Sequence, residues 1–258
     1  MDIVVCVKHV PDTEAPVRLR ADGQGIDESG LPFVLNYYDE HAVEEAVRIK
    51  ERVGGTVTAL TAGPPRAVEA LRASLAMGAD KAVHIQDPAL EGTDHLGIAR
   101  VLAAAVRRQP ADLILCGKLA TDDNAGIVGP ALAEYLGLPQ ATAVTRLELR
   151  DGTAVVHREV EGAVEVVEVP LPAVLTVERG INEPRYPSLP GIMRAKRTPV
   201  TVLTLAELGM GAEDLTALTE LVRLDPPPRR PAGRLLEGEP AEVVRELVRI
   251  LHDEVKVL

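Results

Sequence analysis

The chain has 258 residues, 46% of them hydrophobic, which is enough for a sizeable core in one large domain or two small ones. Its formal charge of −11 disfavours nucleic-acid binding, which needs a basic surface, and five aromatic residues are too few for base-stacking platforms or aromatic ligand cages. No apolar run approaches the ~20 residues of a membrane span, and no basic stretch precedes the apolar opening, so neither a membrane anchor nor a secretory leader is expected.

Residues 3–7 form a continuous apolar run, as in a strand buried on both faces. The polar, Gly-rich stretch 12–30 has room for a hairpin. Residues 39–52 predict an amphipathic helix, with Ala42, Val43, Ala46, Val47 and Ile49 as its apolar stripe and Glu44, Glu45 and Arg48 outside it. A second strand is expected over 56–61, broken by Ala62-Gly63-Pro64. Then come a helix over 67–77 closed by Gly78, a strand over 81–85 and a helix over 96–107. A fourth strand at 113–116 leads through a turn into a helix from about 126 to 135, ended by Gly137-Leu138-Pro139.

This alternation predicts an α/β fold: a mostly parallel sheet with right-handed crossovers and helices on both faces. After Thr145 the pattern changes. Segments 146–149, 154–160 and 164–169 read as extended, with turns at Asp151-Gly152 and Glu161-Gly162, giving a small antiparallel extension. Residues 174–177 form another buried strand, and 178–197 show little periodicity. The Pro/Arg-rich run 225–234 is a linker by composition, and 240–252 an amphipathic helix with Val243, Val244, Leu247, Val248 and Leu251 on one side. The expected organisation is an α/β domain over 1–224 and a linker plus helical arm over 225–258. Cys6 and Cys116 sit in apolar runs and read as buried thiols of a reducing compartment, hence a cytoplasmic protein. Twenty-two arginines against six lysines is the pattern of a thermophilic or high-GC source.

Ligands of open parallel sheets bind at the carboxyl ends of the strands. Four such ends are readable: Cys6-Val7-Lys8, Thr61-Ala62-Gly63, Cys116-Gly117-Lys118 and Thr176-Val177-Glu178-Arg179. The third is the most informative. Gly117 and Gly126 permit close backbone approach, and Asp123 or Asn124 can cap the helix that follows, whose free N–H groups could hold a phosphate. An ordinary capped strand–turn–helix fits the same residues. Asn36-Tyr37-Tyr38-Asp39 likewise offers either a ligand-facing amide or a plain helix cap. No Gly-rich nucleotide fingerprint, no P-loop, no metal-ligand spacing among the six histidines and no nucleophile elbow is present, so nothing marks a catalytic centre. Residues 184–204 lack any acidic side chain. They combine Arg185, Arg194, Lys196 and Arg197 with Leu189, Ile192 and Met193 around Pro190-Gly191, which suits a protein-docking surface or a loop folded over the core.

Four stretches carry a resemblance over essentially the whole chain: VVCVKHVPDT (4–13), LNYYDEHAVEEAVRIKE (35–51), ASLAMGADKAVHI (73–85) and NEPRYPSLPGIMRAKR (182–197). With these the chain resembles the β subunit of electron transfer flavoproteins. The resemblance implies a Rossmann-like, adenine-nucleotide-hydrolase-like domain without chemistry of its own, paired with an α subunit that holds the redox-active FAD. It implies AMP bound by Cys6, Asn36, Tyr37, Tyr38, Asp39, Ala62, Gly117, Lys118, Thr121, Asp122, Asp123, Asn124, Ala125, Gly126, Ile127 and Val128. It implies a recognition loop of Tyr186, Leu189, Pro190, Gly191, Ile192, Met193, Arg194 and Lys196, with Leu189 as the anchor. The expected donors are flavoproteins of the acyl-CoA dehydrogenase type, as in fatty acid oxidation, and the expected acceptor is a quinone-reducing enzyme. The C-terminal helix would pack on the α subunit. Thr13 stands where some members carry a tyrosine near the flavin, so that contact is not carried over, and Arg197 replaces a common lysine. Within the same family, a bifurcating subunit would place a second FAD where AMP is expected. A stand-alone nucleotide hydrolase would need an SGGxDS-like loop after the first strand, where this chain has Lys8-His9-Val10-Pro11-Asp12. A nucleotide-sensing stress protein would not need the basic, apolar docking segment.

Overall fold

The first apolar run forms strand β1 (Asp2–Cys6), with Ile3 and Val5 in the core on one face of a sheet and Val4 and Cys6 in the core on the other. A strand buried on both faces needs apolar side chains at every position, which is why the run does not alternate. The computed structural model describes residues 1–228 and 232–258. In chain order the elements after β1 are β2 (His9–Pro11), β3 (Phe33–Leu35), α1 (Tyr37–Val53), β4 (Thr56–Ala62), α2 (Val68–Met77), β5 (Lys81–Ile85), α3 (His95–Val106) and β6 (Leu113–Gly117). There follow α4 (Val128–Leu136), β7 (Gln140–Arg150), β8 (Thr153–Val160), β9 (Ala163–Pro170), β10 (Ala173–Val177), α5 (Leu189–Arg197), β11 (Val200–Leu203) and α6 (Pro240–Arg249).

Among the described residues the main sheet runs β11-β5-β4-β1-β6-β10-β7-β8-β9. All pairs from β11 to β7 are parallel, and β7-β8-β9 continue as an antiparallel meander. The fold is therefore the expected α/β class, with a separate two-stranded antiparallel pair, β2 and β3. Helices α1 and α2 pack on the face that carries Ile3, Val57, Leu113 and Leu175, and α3 and α4 on the face that carries Val4, Leu60, Ile114 and Val174. From β1 the chain first builds outward through β4 and β5, then crosses back to lay β6 on the other side of β1. The order thus reverses between β1 and β6.

Three expectations need correction. The hairpin expected inside 12–30 reduces to an isolated bridge between Leu19 and Ile26, and the true pair, β2 and β3, flanks that stretch. Glu44 and Glu45, expected on the outer face of α1, are 2% and 6% exposed. Their face is covered by residues 182–185, which bring Asn182 and Arg185 to meet the carboxylates. The aperiodic stretch 178–197 contains α5, which at nine residues is too short to display a period. Ser188 caps it, its Oγ accepting the Gly191 N–H at 3.2 Å.

Helix α6 leaves Val244, Leu247 and Val248 between 43% and 58% exposed. The middle of the Pro/Arg-rich linker, residues 229–231, lies outside the described residues. Among the described residues no helix is long and apolar enough to cross a membrane.

Candidate functional site: a cleft where the strand order reverses

Strands that depart on opposite sides of β1 leave a crevice at their carboxyl ends. That crevice is a cleft with about 770 Å³ of free space, counted out to its open mouth. Eleven residues expected at the nucleotide site line it. Cys6 comes from the end of β1, Asn36 and Asp39 from the start of α1, and Ala62 from the end of β4. Gly117 and Lys118 come from the end of β6, and Asp123, Ala125, Gly126 and Ile127 from the turn after it. Val128, the first residue of α4, also lines it. Tyr37, Tyr38, Thr121, Asp122 and Asn124 belong to the same segments without lining the cleft itself. Apolar wall comes from Val7, Ile98 and Leu102.

Buried polar side chains hold these segments together. Asp39 Oδ2 accepts the Lys8 backbone N–H at 2.7 Å and Oδ1 accepts the Gly117 N–H at 3.1 Å, so one carboxyl ties the ends of β1 and β6 to α1. Burial pushes the Asp39 carboxyl up to about 7, against the pull of Asn36 and the two N–H donors. Gly117 must be glycine here, because a Cβ at that position would fall 2.4 Å from Asp39 Oδ1. Asn36 sits at the cap position of α1, yet its side chain makes no capping bond. It crosses to the turn instead: Nδ2 donates to the Leu119 carbonyl at 2.9 Å, and Oδ1 accepts the Thr121 N–H at 3.1 Å. The plain-cap alternative for Asn36 is thereby set aside.

At the mouth, Lys8 Nζ donates to Asp122 and Asp123, each at 2.8 Å, and His95 Nε2 meets Asp123 Oδ2 at 3.0 Å. Burial alone would lower the Lys8 pKa, but the two carboxylates outweigh it and hold it above its ordinary value. Burial alone would raise Asp123, and the Ala125 N–H together with Lys8 and His95 brings it below the carboxylate range. Neither Asp123 nor Asn124 caps α4. The helix begins at Val128 after Ile127, with no side-chain cap, and Asn124 adopts a left-handed backbone at φ 53°. Four residues of turn separate Asp123 from the helix, and its carboxylate is spent on the turn, Lys8 and His95. The first-turn N–H groups of α4, Val128 and Gly129 among them, have no intrahelical acceptor, and both residues line the cleft.

Lys8 and His95 were missed as site residues. Lys8 carried a signal, since it directly follows a strand end. His95 carried none: it follows the α3 cap Asp94 and reaches the cleft only through the packing of α3. Among the described residues no group of three or more His, Cys, Asp or Glu side chains is arranged to hold a metal ion.

The residues expected to dock a partner lie elsewhere, across α2. Tyr186 is 97% exposed and Leu189, at the first turn of α5, 78%. Ile192, Met193, Arg194, Lys196 and Pro190 are also exposed, and Gly191 lets α5 approach α2, where a Cβ would fall 2.6 Å from the Ala76 carbonyl. An ionic base fixes this segment. Arg185 Nε bonds Glu44 at 2.8 Å and its Nη1 bonds Glu51 at 2.6 Å, while Arg48 Nε bonds Glu44 at 2.6 Å. Burial would raise the Glu44 carboxyl, but Arg185 and Arg48 outweigh it and hold it below its ordinary value. Beside them Asn182 donates to the His41 carbonyl and to Glu45, and the His41 Nδ1–H donates to the Asn182 carbonyl at 3.1 Å.

Comparison with known proteins gives a consistent result. Residues 24–208 match the model of the electron transfer flavoprotein domain. The chain is 43% identical to electron transfer flavoprotein subunit beta of Bacillus subtilis (strain 168), over 100% of both chains. It is 40% identical to the subunit of that name from Mycobacterium tuberculosis (strain CDC 1551 / Oshkosh), over 96% of this chain and 97% of the other. To that of Sus scrofa it is 39% identical, over 96% and 98%. The four stretches that suggested the family, the reversal of strand order and these full-length similarities agree, and the chain belongs to the electron transfer flavoprotein β-subunit family.

Proposed function

We propose that this chain is the nucleotide-binding, partner-docking half of a heterodimeric electron carrier. An α subunit would hold the FAD through which electrons pass. The observation that carries this reading is the cleft itself: between β1 and β6, where strand order reverses, it gathers eleven of the residues that the family resemblance assigns to AMP. The side chains present fit that ligand. Val7, Ile98 and Leu102 suit the flat faces of an adenine. The first-turn N–H groups of α4 suit a phosphate, with Lys8 as a nearby cation and the His95 imidazole beside it. A bound mononucleotide would stabilise the fold by mass action.

The exposed Leu189 at the head of α5, rimmed by Tyr186, Met193 and basic side chains, suits a hydrophobic socket on a dehydrogenase of the acyl-CoA type. A quinone-reducing acceptor would complete the route. The domain 1–224 carries both surfaces, and the arm within 225–258, with the open apolar face of α6, supports pairing with α. A second FAD in the cleft is the alternative within the family, and the glycine-flanked turn 117–126 accommodates either backbone approach.

Titration of nucleotide-free chain with AMP tests the pocket. Saturable one-to-one binding is expected, and Lys8→Ala should weaken it by about tenfold or more, because a cation is lost and Asp122 and Asp123 are left facing the phosphate. Absence of AMP binding to the wild-type chain would overturn the assignment.

A further inference from the structure

Cys6 ends β1, and Cys116 stands one residue before the end of β6. The parallel register pairs these two residues directly. Neighbouring strands run about 4.8 Å apart, and directly paired residues on parallel strands project to the same face. Their Cα separation thus falls within the roughly 4.4–6.8 Å that a disulfide spans. Both side chains are free thiols, both are buried, and both line the nucleotide cleft. The neighbouring Cys6 thiol, burial and the charge of Asp39 push the Cys116 thiol up, which keeps Cys116 in the unreactive thiol form while the cleft stays closed to reagents.

We propose that Cys6 and Cys116 are a reversible dithiol pair in the wall of the cleft, oxidised to a disulfide when the cleft is empty and shielded when nucleotide fills it. The shielding rests on the nucleotide reading above, whereas the pairing rests on register alone. The oxidant is a two-electron acceptor of the peroxide class. One cysteine sulfur attacks the peroxide O–O bond, giving a sulfenic acid and water. The second thiol displaces water from that sulfur and the S–S bond forms. Two thiols and one hydrogen peroxide become one disulfide and two waters, and a dithiol reductant reverses the change. The bond would join the strand ends that Asp39 also ties, so the oxidised chain should bind nucleotide more weakly.

The experiment takes the chain paired with its α subunit, depleted of nucleotide or saturated with AMP, and treats both with hydrogen peroxide. Remaining thiols are alkylated and the peptides read by mass spectrometry. AMP binding is titrated on the same samples. In depleted protein a Cys6–Cys116 cross-linked peptide is expected, lost again on reduction and absent from Cys116→Ala. With AMP a hundredfold above its Kd, cross-linking should slow about 100-fold, because oxidation then proceeds through the unliganded fraction. Unreacted thiols or separate sulfinic acids in the depleted protein would overturn the pairing. Equal rates with AMP demonstrably bound would overturn the shielding and leave the nucleotide reading standing. If AMP fails to bind, that reading falls, and the cross-link in depleted protein still decides the pairing.

Discussion

Asp39 carries a buried carboxyl whose two oxygens hold the backbone N–H of Lys8, just past β1, and of Gly117, at the end of β6. Its raised pKa of about 7 has a definite consequence for stability. The unfolded chain releases this proton near pH 4, and the folded chain retains it up to about pH 7. Stability contributed by this group therefore falls as pH rises from about 4 to 7 and is level above that. The slope approaches ~1.4 kcal/mol per pH unit. Asp39→Asn should abolish that slope in denaturation curves measured across this range; an unchanged slope would exclude Asp39 as its source. Most of this site was legible at the level of single residues. Cys6, Ala62 and Gly117 follow from the rule that ligands sit at strand ends, and those ends show as breaks in apolar runs. Asn36 and Asp39 were legible as polar residues at a helix start, but their cross-chain bonds were not, since each spans more than thirty positions or pairs with backbone that any sequence provides. His95 was invisible because nothing in a sequence tells which helix end will lean over a distant turn.

At the scale of elements, α1 and α5 show what periodicity can and cannot tell. The stripe of Ala42, Val43, Ala46, Val47 and Ile49 is buried as its spacing requires. Glu44 and Glu45 were read as solvent-facing because charge ordinarily marks an outer face, and only a covering segment with its own Arg185 and Asn182 reverses that. Arg185→Ala would leave Glu44 buried with Arg48 as its remaining cation. A loss of about 2 kcal/mol is expected in chemical denaturation, the scale of a hydrogen bond to a charged group. A loss within about 0.5 kcal/mol would mean the pair is a surface contact in effect. Helix α5 escaped detection although its start signals were present, Ser188 as cap and Pro190 in the first turn. Its nine residues are too few to display a period. Leu189→Ala changes an exposed side chain and should alter stability by less than about 0.5 kcal/mol. If Leu189 is the docking anchor, the same change should slow electron transfer from an acyl-CoA dehydrogenase at limiting carrier by about 30-fold, as loss of ~2 kcal/mol implies. Unchanged transfer rates would remove Leu189 from that role.

At the scale of the whole molecule, one topological fact organises the rest. Building outward from β1 on one side and then crossing to β6 creates the cleft, and the same crossing places α1 and α2 on one face and α3 and α4 on the other. Strand–helix alternation made the parallel sheet legible, and the turns at Asp151-Gly152 and Glu161-Gly162 made the antiparallel meander legible. Strand order was not, because periodicity shows that a strand is buried on both faces but not which strands flank it. The docking segment and the cleft lie at different places on the molecule, joined through α1, whose first residues line the cleft while Glu44 and Glu51 anchor Arg185. The proposed nucleotide cleft and the proposed docking segment are thus built on one helix, with separate side chains for each.

The central claim is that the cleft holds a structural mononucleotide while the redox flavin belongs to the partner. The most direct test is to co-produce the chain with its α subunit, purify the heterodimer, denature it and quantify the released small molecules by mass spectrometry. One AMP and one FAD per heterodimer are expected. Two FAD and no AMP would contradict the claim, and would make the turn from Gly117 to Val128 a redox-cofactor site.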